Sequence, residues 1–187
     1  MNKKAPAGTS KVPGLTNVFL DKIEITNIVW REYLYYLKNE EGADSESYKS
    51  AQFDIAVWKQ AYPTVGLNSS KYDYYPVVGI SYQQALDYCA WRSKIVSAKE
   101  NRTVNYSLPT LKVYKMSGNL NPNKTAEGLF STKIGFRTFL GICENAAEMT
   151  NVEGIAIEGY NRNTCLEQRD FIVPSQDLGF RCMALLP

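Results

Sequence analysis

The hydrophobic pattern of the chain predicts two helices. In the first, large apolar residues recur at i, i+3, i+4 and i+7 and form one face: Trp30, Tyr33, Leu34 and Leu37. Thr26 or Asn27 is expected to cap its start, because a short polar side chain can accept from a free N–H of the first turn. The second helix is predicted over residues 82–99, since Ser81 and Gln84 have the spacing of a capping box.

Apolar and polar residues alternate near both ends of the chain, which predicts strands there. Residues 18–25 form the first such segment. In the last one, Phe180, Cys182 and Ala184 share a face, and Arg181 lies on the other face, where it can fork onto a carboxylate or backbone carbonyls. We therefore expect a buried final strand that brings the two ends of the chain into one sheet.

Between these ends, loop-forming residues dominate. Residues 101–128 are expected to be mostly loop, and residues 134–140 are apolar and strand-like. We interpret residues 145–150 as a tight turn or a short helix. Ile155 and Ile157 are two positions apart, as on one face of a strand, and predict a further strand. Few helices, several short strands and much loop indicate an α+β fold class.

The composition is that of an ordinary globular protein, with 187 residues of which 44% are hydrophobic and 21% charged. We expect an extended lead-in over residues 1–14 and a single domain over residues 15–187. The net charge of +2 has no long basic run, so nucleic acid is not expected as a partner. No segment approaches the roughly 20 apolar residues of a transmembrane helix. The polar N-terminus indicates either a cytosolic protein or a chain from which a signal has been removed.

Histidine is absent from the chain, which excludes Ser-His-Asp and Cys-His nucleophiles and every His-ligated metal site. Four cysteines are widely spaced and contain no C-x-x-C motif, so a zinc site is not favoured: Cys89, Cys143, Cys165 and Cys182. One or two long-range disulfides are expected if the compartment is oxidising, and free thiols if it is reducing.

Four stretches, in order, resemble the formylglycine-generating-enzyme (sulfatase-modifying factor) superfamily. They are FLDKIEITN at 19–27, YPVVGISY at 75–82 with the following A-x-x-Y-C-x-W, YSLPT at 106–110, and LGFRC at 178–182. The resemblance implies a variant of the C-type-lectin fold with two main helices, short antiparallel strands and much loop.

A narrower resemblance connects the chain to gliding-motility and type IX secretion lipoproteins, which are non-catalytic relatives. REYLYYL at 31–37, the Val57–Trp58 segment and YDYYPVVGISYQQALDYCAWR at 72–92 carry it. This implies an extracytoplasmic domain, periplasmic or outer-membrane associated, whose signal has been removed. Other envelope proteins would be its partners, and a lipid anchor would lie on the removed N-terminal segment.

The chain departs from the active members of the superfamily where their chemistry occurs. Those members carry a copper-binding C-x-x-x-x-C pair before the final strand, whereas the corresponding residues 155–164 contain no cysteine. The family motif G-N-x-W-E-W survives only as ENAAEM at 144–149, without its tryptophans. We therefore expect a pseudoenzyme without catalytic residues or a redox cofactor.

The resemblance also implies two structural features. The first is a disulfide between Cys89 and Cys182, joining the second helix to the last strand, with Cys143–Cys165 as the one remaining combination. The second is a residual Ca²⁺ site at Glu148 and Asn145, because Ca²⁺ prefers carboxylate and carbonyl oxygens. The alternatives are buried free thiols for the first and, for the second, a Glu148 that pairs with a cation or caps a turn.

Aromatic residues form a dense group that could either cover the core or present a recognition surface: Trp58, Tyr62, Tyr72, Tyr74 and Tyr75. A polar loop at Tyr160, Asn161 and Arg162 would extend that surface. The first functional hypothesis is a non-catalytic structural or protein-interaction module of a cell-envelope assembly. A C-type-lectin-like module that binds a glycan or protein is the alternative, and an enzyme with an unrecognised site is the third.

Overall fold

The computed structural model describes residues 3–64, 66, 69–118, 139–142, 145–158 and 167–187. Its helices are α1 Asn27–Glu41, α2 Glu46–Ser50, α3 Ile55–Ala61, α4 Tyr82–Glu100 and α5 Leu111–Gly118, with a 3-10 turn at Ser70–Tyr72. Its strands are β1 Thr9–Lys11, β2 Val18–Asp21, β3 Asn105–Ser107, β4 Ala147–Met149, β5 Ile155–Glu158, β6 Glu167–Asp170, β7 Leu178–Gly179 and β8 Met183–Leu185.

The strands form two four-stranded sheets. The first has the order β1-β2-β8-β3 and is antiparallel throughout. It places both ends of the chain side by side, because Phe19 of β2 pairs with Ala184 of β8. The second has the order β6-β5-β4-β7, with β7 parallel to β4. The predicted meeting of the two chain ends is confirmed.

The main core lies between α1, α4 and the residues that connect β7 to β8. Trp30 of α1 is fully buried and stacks on Tyr88 of α4, with ring centroids 5.6 Å apart. Phe180 contacts both rings edge to face. Because this segment contributes Phe180 and Cys182 to the core, the C-terminus is essential to the packing of both helices.

The second helix begins as predicted. Ser81 accepts from the backbone N–H of Gln84, and the Gln84 side chain accepts from the backbone N–H of Ser81. The side-chain cap predicted for α1 is wrong: Thr26 is the N-cap residue but makes no side-chain cap. Asn27 instead joins α3 to the 3-10 turn, since its side chain donates to Tyr72 O and accepts from Trp58 Nε1.

Two strand predictions required correction. The strand predicted over 18–25 ends at Asp21, after which the chain turns away from the sheet toward α1. Residues 145–150 were expected to form a turn or short helix, but Ala147–Met149 is strand β4, buried between β5 and β7. The three residues Ala-Glu-Met are too few for period-2 alternation to be recognised, and all three residue types favour helices. The segment 134–140 lies almost entirely outside the described residues.

The predicted lead-in contributes to the fold. Its residues Thr9–Lys11 form β1, and Val12 is fully buried against a second apolar cluster that includes Leu20 and Tyr114. Within the described parts of the chain, no helix combines the length and apolar character needed to cross a membrane.

Candidate functional site

Arg181 occupies the centre of a buried charged site, which we call the arginine core and define as Arg181, Glu148 and Glu24. The Arg181 side chain is fully buried. Its Nε and Nη2 donate to the two carboxylate oxygens of Glu148 at 2.5 and 2.6 Å. It also donates to the backbone carbonyls of Asp21 and Leu140. The sequence prediction that Arg181 forks onto a carboxylate or carbonyls is confirmed on both counts.

The pairing of Arg181 with Glu148 keeps the arginine charged although it is buried. Burial alone lowers the pKa of Arg181, but the adjacent Glu148 carboxylate outweighs burial and raises it above its ordinary value. Arg181 is therefore a permanent cation, and both oxygens of Glu148 are engaged by it. Bidentate geometry of this kind gives strong, directional charge-assisted hydrogen bonds.

This pairing bears on the predicted Ca²⁺ site at Glu148 and Asn145. A calcium ion at Glu148 would compete with the guanidinium for the same oxygens. Asn145 lies beside the arginine core, close enough to Glu24 to affect its pKa. Among the described residues, no group of three or more acidic or cysteine side chains is arranged to hold a metal ion. Calcium binding stays a prediction.

Glu24 is a second buried carboxylate in the arginine core, and sequence analysis missed it. Neither of its oxygens makes a hydrogen bond among the described residues. Burial, partly offset by Arg181 and reinforced by Glu148, raises the pKa of Glu24 to about 7. Gly141 makes room for it, since a Cβ at Gly141, whose φ is +76°, would lie 2.6 Å from Glu24 Oε2. No local signal distinguished it, because Glu24 stands at a polar position of the alternating segment 18–25.

A second ion pair, also missed, ties the last strand to α4. The carboxylate of Asp21 accepts from Arg92 Nη1 and Nη2 at 2.6 and 2.8 Å, and from the backbone N–H of Cys182 at 2.9 Å. The Arg92 guanidinium also lies over the ring of Tyr106, 4.2 Å from its centroid. Asp21 thus holds together β2, α4 and the segment before β8.

The structure brings Cys89 and Cys182 together. Both are buried thiols, and their sulfurs are 3.4 Å apart, compared with about 2 Å in a disulfide. Burial and the hydrogen bond with Cys89 raise the pKa of the Cys182 thiol well above its usual value. A protonated, buried thiol is a poor nucleophile and metal ligand. A covalent bond between the two stays a prediction, and Cys143 and Cys165 lie outside the described residues.

The predicted aromatic surface is divided between core and exterior. Trp58 and Tyr62 are buried, and each polar atom has an internal acceptor: Asn27 Oδ1 for Trp58 Nε1 and Pro76 O for the Tyr62 hydroxyl. Tyr72 and Tyr75 are partly buried against them. Tyr74 is 59% exposed. A partner would thus contact the outer tyrosines, with Trp58 and Tyr62 as their support; Tyr160, Asn161 and Arg162 lie outside the described residues.

A pocket of about 280 Å³ opens between α1 and α4. Part of its lining is apolar, with Val29 from α1 and Trp91 and Ile95 from α4. Four charged residues also line it: Asp21, Glu24, Glu32 and Arg92. Sequence analysis did not identify this pocket, because its walls come from two helices and the segment 21–25, which are distant in sequence. A mixed lining of this kind suits a small ligand with an apolar body and a polar group.

The helices, sheets and core define a mixed α+β domain with the C-type-lectin-like fold, as the sequence resemblance implied. A family model described as "Sulfatase-modifying factor enzyme 1-like domain" matches residues 2–119, which is more than half of the chain. The chain therefore belongs to the family of sulfatase-modifying factor enzyme 1-like domains.

Among solved structures, "Treponema denticola variable protein 1" is similar in fold. It aligns with a TM-score of 0.51 over 91% of this chain and 84% of its own, with 12% identical residues. At that identity the similarity extends to the fold alone. No curated protein matches the chain.

Proposed function

We propose that this domain is a non-catalytic structural and protein-interaction module of a cell-envelope assembly, of the gliding-motility or type IX secretion type. The observation that carries the proposal is the state of its thiols. The family's oxidative chemistry requires a closely spaced pair of reactive cysteines, and this sequence has no C-x-x-x-x-C pair. Cys89 and Cys182 are both buried, so neither sulfur is accessible to a substrate, whether it is a free thiol or part of a disulfide.

The pair of Arg181 and Glu148 supports the same interpretation. Each engages the other, so these two groups hold the second sheet to the chain ends. Glu24, the third member of the arginine core, lines the pocket between α1 and α4 and is the group on which the third hypothesis, an enzyme with an unrecognised site, depends. The proposal places the domain outside the cytoplasm, held by a lipid anchor on an N-terminal segment that precedes the given residues.

The direct test of the non-catalytic part is an activity assay with a defined substrate. The purified domain would be incubated with Cu²⁺ and a cysteine-containing sulfatase peptide, and the peptide mass would be followed for conversion of cysteine to formylglycine. An active formylglycine-generating enzyme serves as positive control. We expect no conversion. The proposal would be overturned if conversion were still seen after the domain had been washed with a chelator, purified again and assayed a second time.

The interaction part is tested by cross-linking in the native source, followed by purification of the domain and identification of cross-linked proteins. We expect a reproducible set of envelope proteins. A Tyr74→Ala variant would test the outer tyrosines, with Tyr35→Ala, an exposed tyrosine of α1, as the matched control. Recovery of cytosolic proteins alone would contradict the envelope assignment.

A thiol count tests the compartment. In protein from its native source, denatured without reduction, we expect Cys89 and Cys182 to be joined, because an oxidising compartment converts neighbouring thiols to a disulfide. The bridge would close a loop of about ninety residues and stabilise the fold by roughly 4 kcal/mol in the chain-entropy model. Peptide mapping with and without reductant measures it. Four free thiols would contradict an extracytoplasmic location.

A second candidate, a C-type-lectin-like ligand-binding module, is favoured by the pocket between α1 and α4. A fragment screen by thermal shift, with Trp91→Ala as the variant that removes one pocket wall, would test it. Fragments that stabilise the native domain and lose their effect in the variant would favour this candidate over the first.

A further inference from the structure

The outer strand of the second sheet, β6, directs part of its backbone away from its neighbour β5. In the antiparallel β5–β6 pair, the N–H of Phe171 donates to Gly154 O. Because hydrogen-bonded pairs alternate in an antiparallel ladder, Glu167 and Arg169 also bond to β5, whereas Gln168 and Asp170 direct their N–H and C=O away from it. Within the described part of the chain, no residue is bonded to these outward groups.

The side chains around this edge leave it accessible. Three of the four β6 residues are exposed, and Arg169 is only half-buried. An exposed strand edge of this kind is a template for another strand, and proteins usually protect it with a covering loop, a proline or a bulge. None of these protections is present among the described residues of β6.

Apolar side chains continue the edge at one end. Ile172 is 96% exposed, Val173 is 66% exposed, and Val152 is 50% exposed. Val152 lies in the β4–β5 turn, next to the Gly154 that accepts from Phe171, so the three side chains belong to one end of the sheet. Exposed branched aliphatic residues grouped in this way are typical of a contact surface.

The same edge is acidic. Glu158 and Asp177 are engaged by Arg169, but Glu153, Glu167 and Asp170 have no ion-pair partner in the described structure. Because the whole chain carries a net charge of +2, this acidic edge is a local feature. Its field favours a partner with positive charge near the strand.

We propose that β6 is a docking edge for a partner protein, which adds an extended segment carrying Lys or Arg beside apolar residues. The proposal rests on the protein-interaction function above and names its location and chemistry. Gln168 and Asp170 would supply the backbone hydrogen bonds, the free carboxylates would select a basic segment, and Ile172 and Val173 would cover its apolar side chains. A second copy of this chain fits less well, because it would bring acidic β6 residues together.

The experiment uses the whole domain and a defined probe. ¹⁵N-labelled protein would be titrated with a fluorescent peptide of alternating Lys and Val, with alternating Glu and Val as the comparison peptide. We expect the basic peptide to shift the amide signals of residues 167–173 and to bind at least about tenfold more tightly than the acidic one. Equal binding of the two peptides, or shifts elsewhere, would overturn the proposal.

Two variants separate backbone from charge. Gln168→Pro removes an N–H that the protein's own sheet does not use, so we expect a folded domain that no longer binds the peptide. Asp170→Lys provides a second test, which is still available if the proline variant fails to fold. It should weaken peptide binding about tenfold. Glu40→Lys on α1 is the matched control, since it makes the same charge change at an exposed site away from the sheet. Normal binding by the Asp170 variant would contradict the proposal.

Two further measurements distinguish the ways in which the proposal can fail. Sedimentation of the unliganded domain shows whether copies associate, and self-association abolished by Gln168→Pro would assign the edge to a second copy instead of a partner. Cross-linking of the Asp170→Lys variant in the native source distinguishes failure of the β6 docking edge from failure of the proposed interaction function. Undiminished capture of envelope partners by that variant would leave the interaction role standing and refute the β6 edge as its site.

Discussion

The second sheet contains two arginine–carboxylate networks that differ in their surroundings. Arg181 and Glu148 are fully buried, and the nearby Glu24 has no hydrogen bond of its own. Arg169, at the exposed edge, bonds to Glu158 and Asp177 with about a quarter of its side chain accessible, 27%. The same type of ion pair is therefore essential to stability at the buried end of the sheet and contributes little at the exposed edge. The reason is that water can replace a lost partner only at the edge.

The largest effect is expected from Arg181→Met, which leaves two buried carboxylates without their cation. Loss of one partner of a buried pair costs about 3–5 kcal/mol. Urea unfolding measures this as a lower midpoint, or as failure to fold. The double variant Arg181→Met/Glu148→Leu should recover part of the loss, since two apolar residues need no partner. Equal instability of the single and double variants would show that the ion pair is not the cause.

Glu24→Gln should change how stability depends on pH. The folded-state pKa of Glu24 is raised from 4.5 to about 7. Ionisation of this buried carboxyl therefore lowers the free energy of unfolding: the loss is absent below pH 4.5, grows as pH rises, and is complete above 7. Glutamine has no charge to bury, so the variant should not show this loss. From acidic pH to pH 8, its free energy of unfolding should rise by roughly 3 kcal/mol relative to that of the native protein.

The free energies of unfolding at about pH 4, 6 and 8, which bracket the titration of Glu24, measure the effect. Glu32→Gln, at an exposed glutamate of α1, is the control and should follow the native protein. If the Glu24 variant also keeps the native pH dependence, Glu24 is not the titrating group.

Arg169→Ala should cost less than about 1 kcal/mol, because its partners can be hydrated. Its hydrogen bonds lower the pKa of Asp177, so this contribution is present near neutral pH and disappears as pH falls below the ordinary Asp value. Acid thus has opposite effects at the two ends of the sheet. Thermal unfolding at two pH values measures the acid effect at each end. If Arg169→Ala lost more than about 2 kcal/mol of stability, which is the scale of a buried pair, the two arginine networks would not differ in the way proposed.

The smallest effect is expected from calcium. Since Arg181 occupies both oxygens of Glu148, excess Ca²⁺ should shift the melting temperature by less than about 1 °C. A shift that grows with Ca²⁺ concentration and disappears in Glu148→Gln would instead establish the calcium site that the family resemblance implied.

The sequence was informative where a signal is local or where the family motif is contiguous. The capping box at Ser81 and Gln84 identified the start of α4, and the apolar spacing around Trp30 identified α1. The family resemblance implied that Cys182 lies beside Cys89, and the alternation of the last segment predicted a forked Arg181. These inferences succeed because helix starts and strand alternation depend on residues a few positions apart.

Only the tertiary structure identified the partners. Glu24 joins the arginine core although it is far from Arg181 in sequence, and Asp21 holds Arg92 and Cys182 from two other elements. The strand at Ala147–Met149 was also missed, since three residues are too few for alternation to be recognised and Ala, Glu and Met all favour helices. The sequence by itself determined the fold class and the types of residue that must be buried. Which carboxylate meets which cation, and which strands are neighbours in each sheet, depends on distances between segments that the linear pattern does not contain.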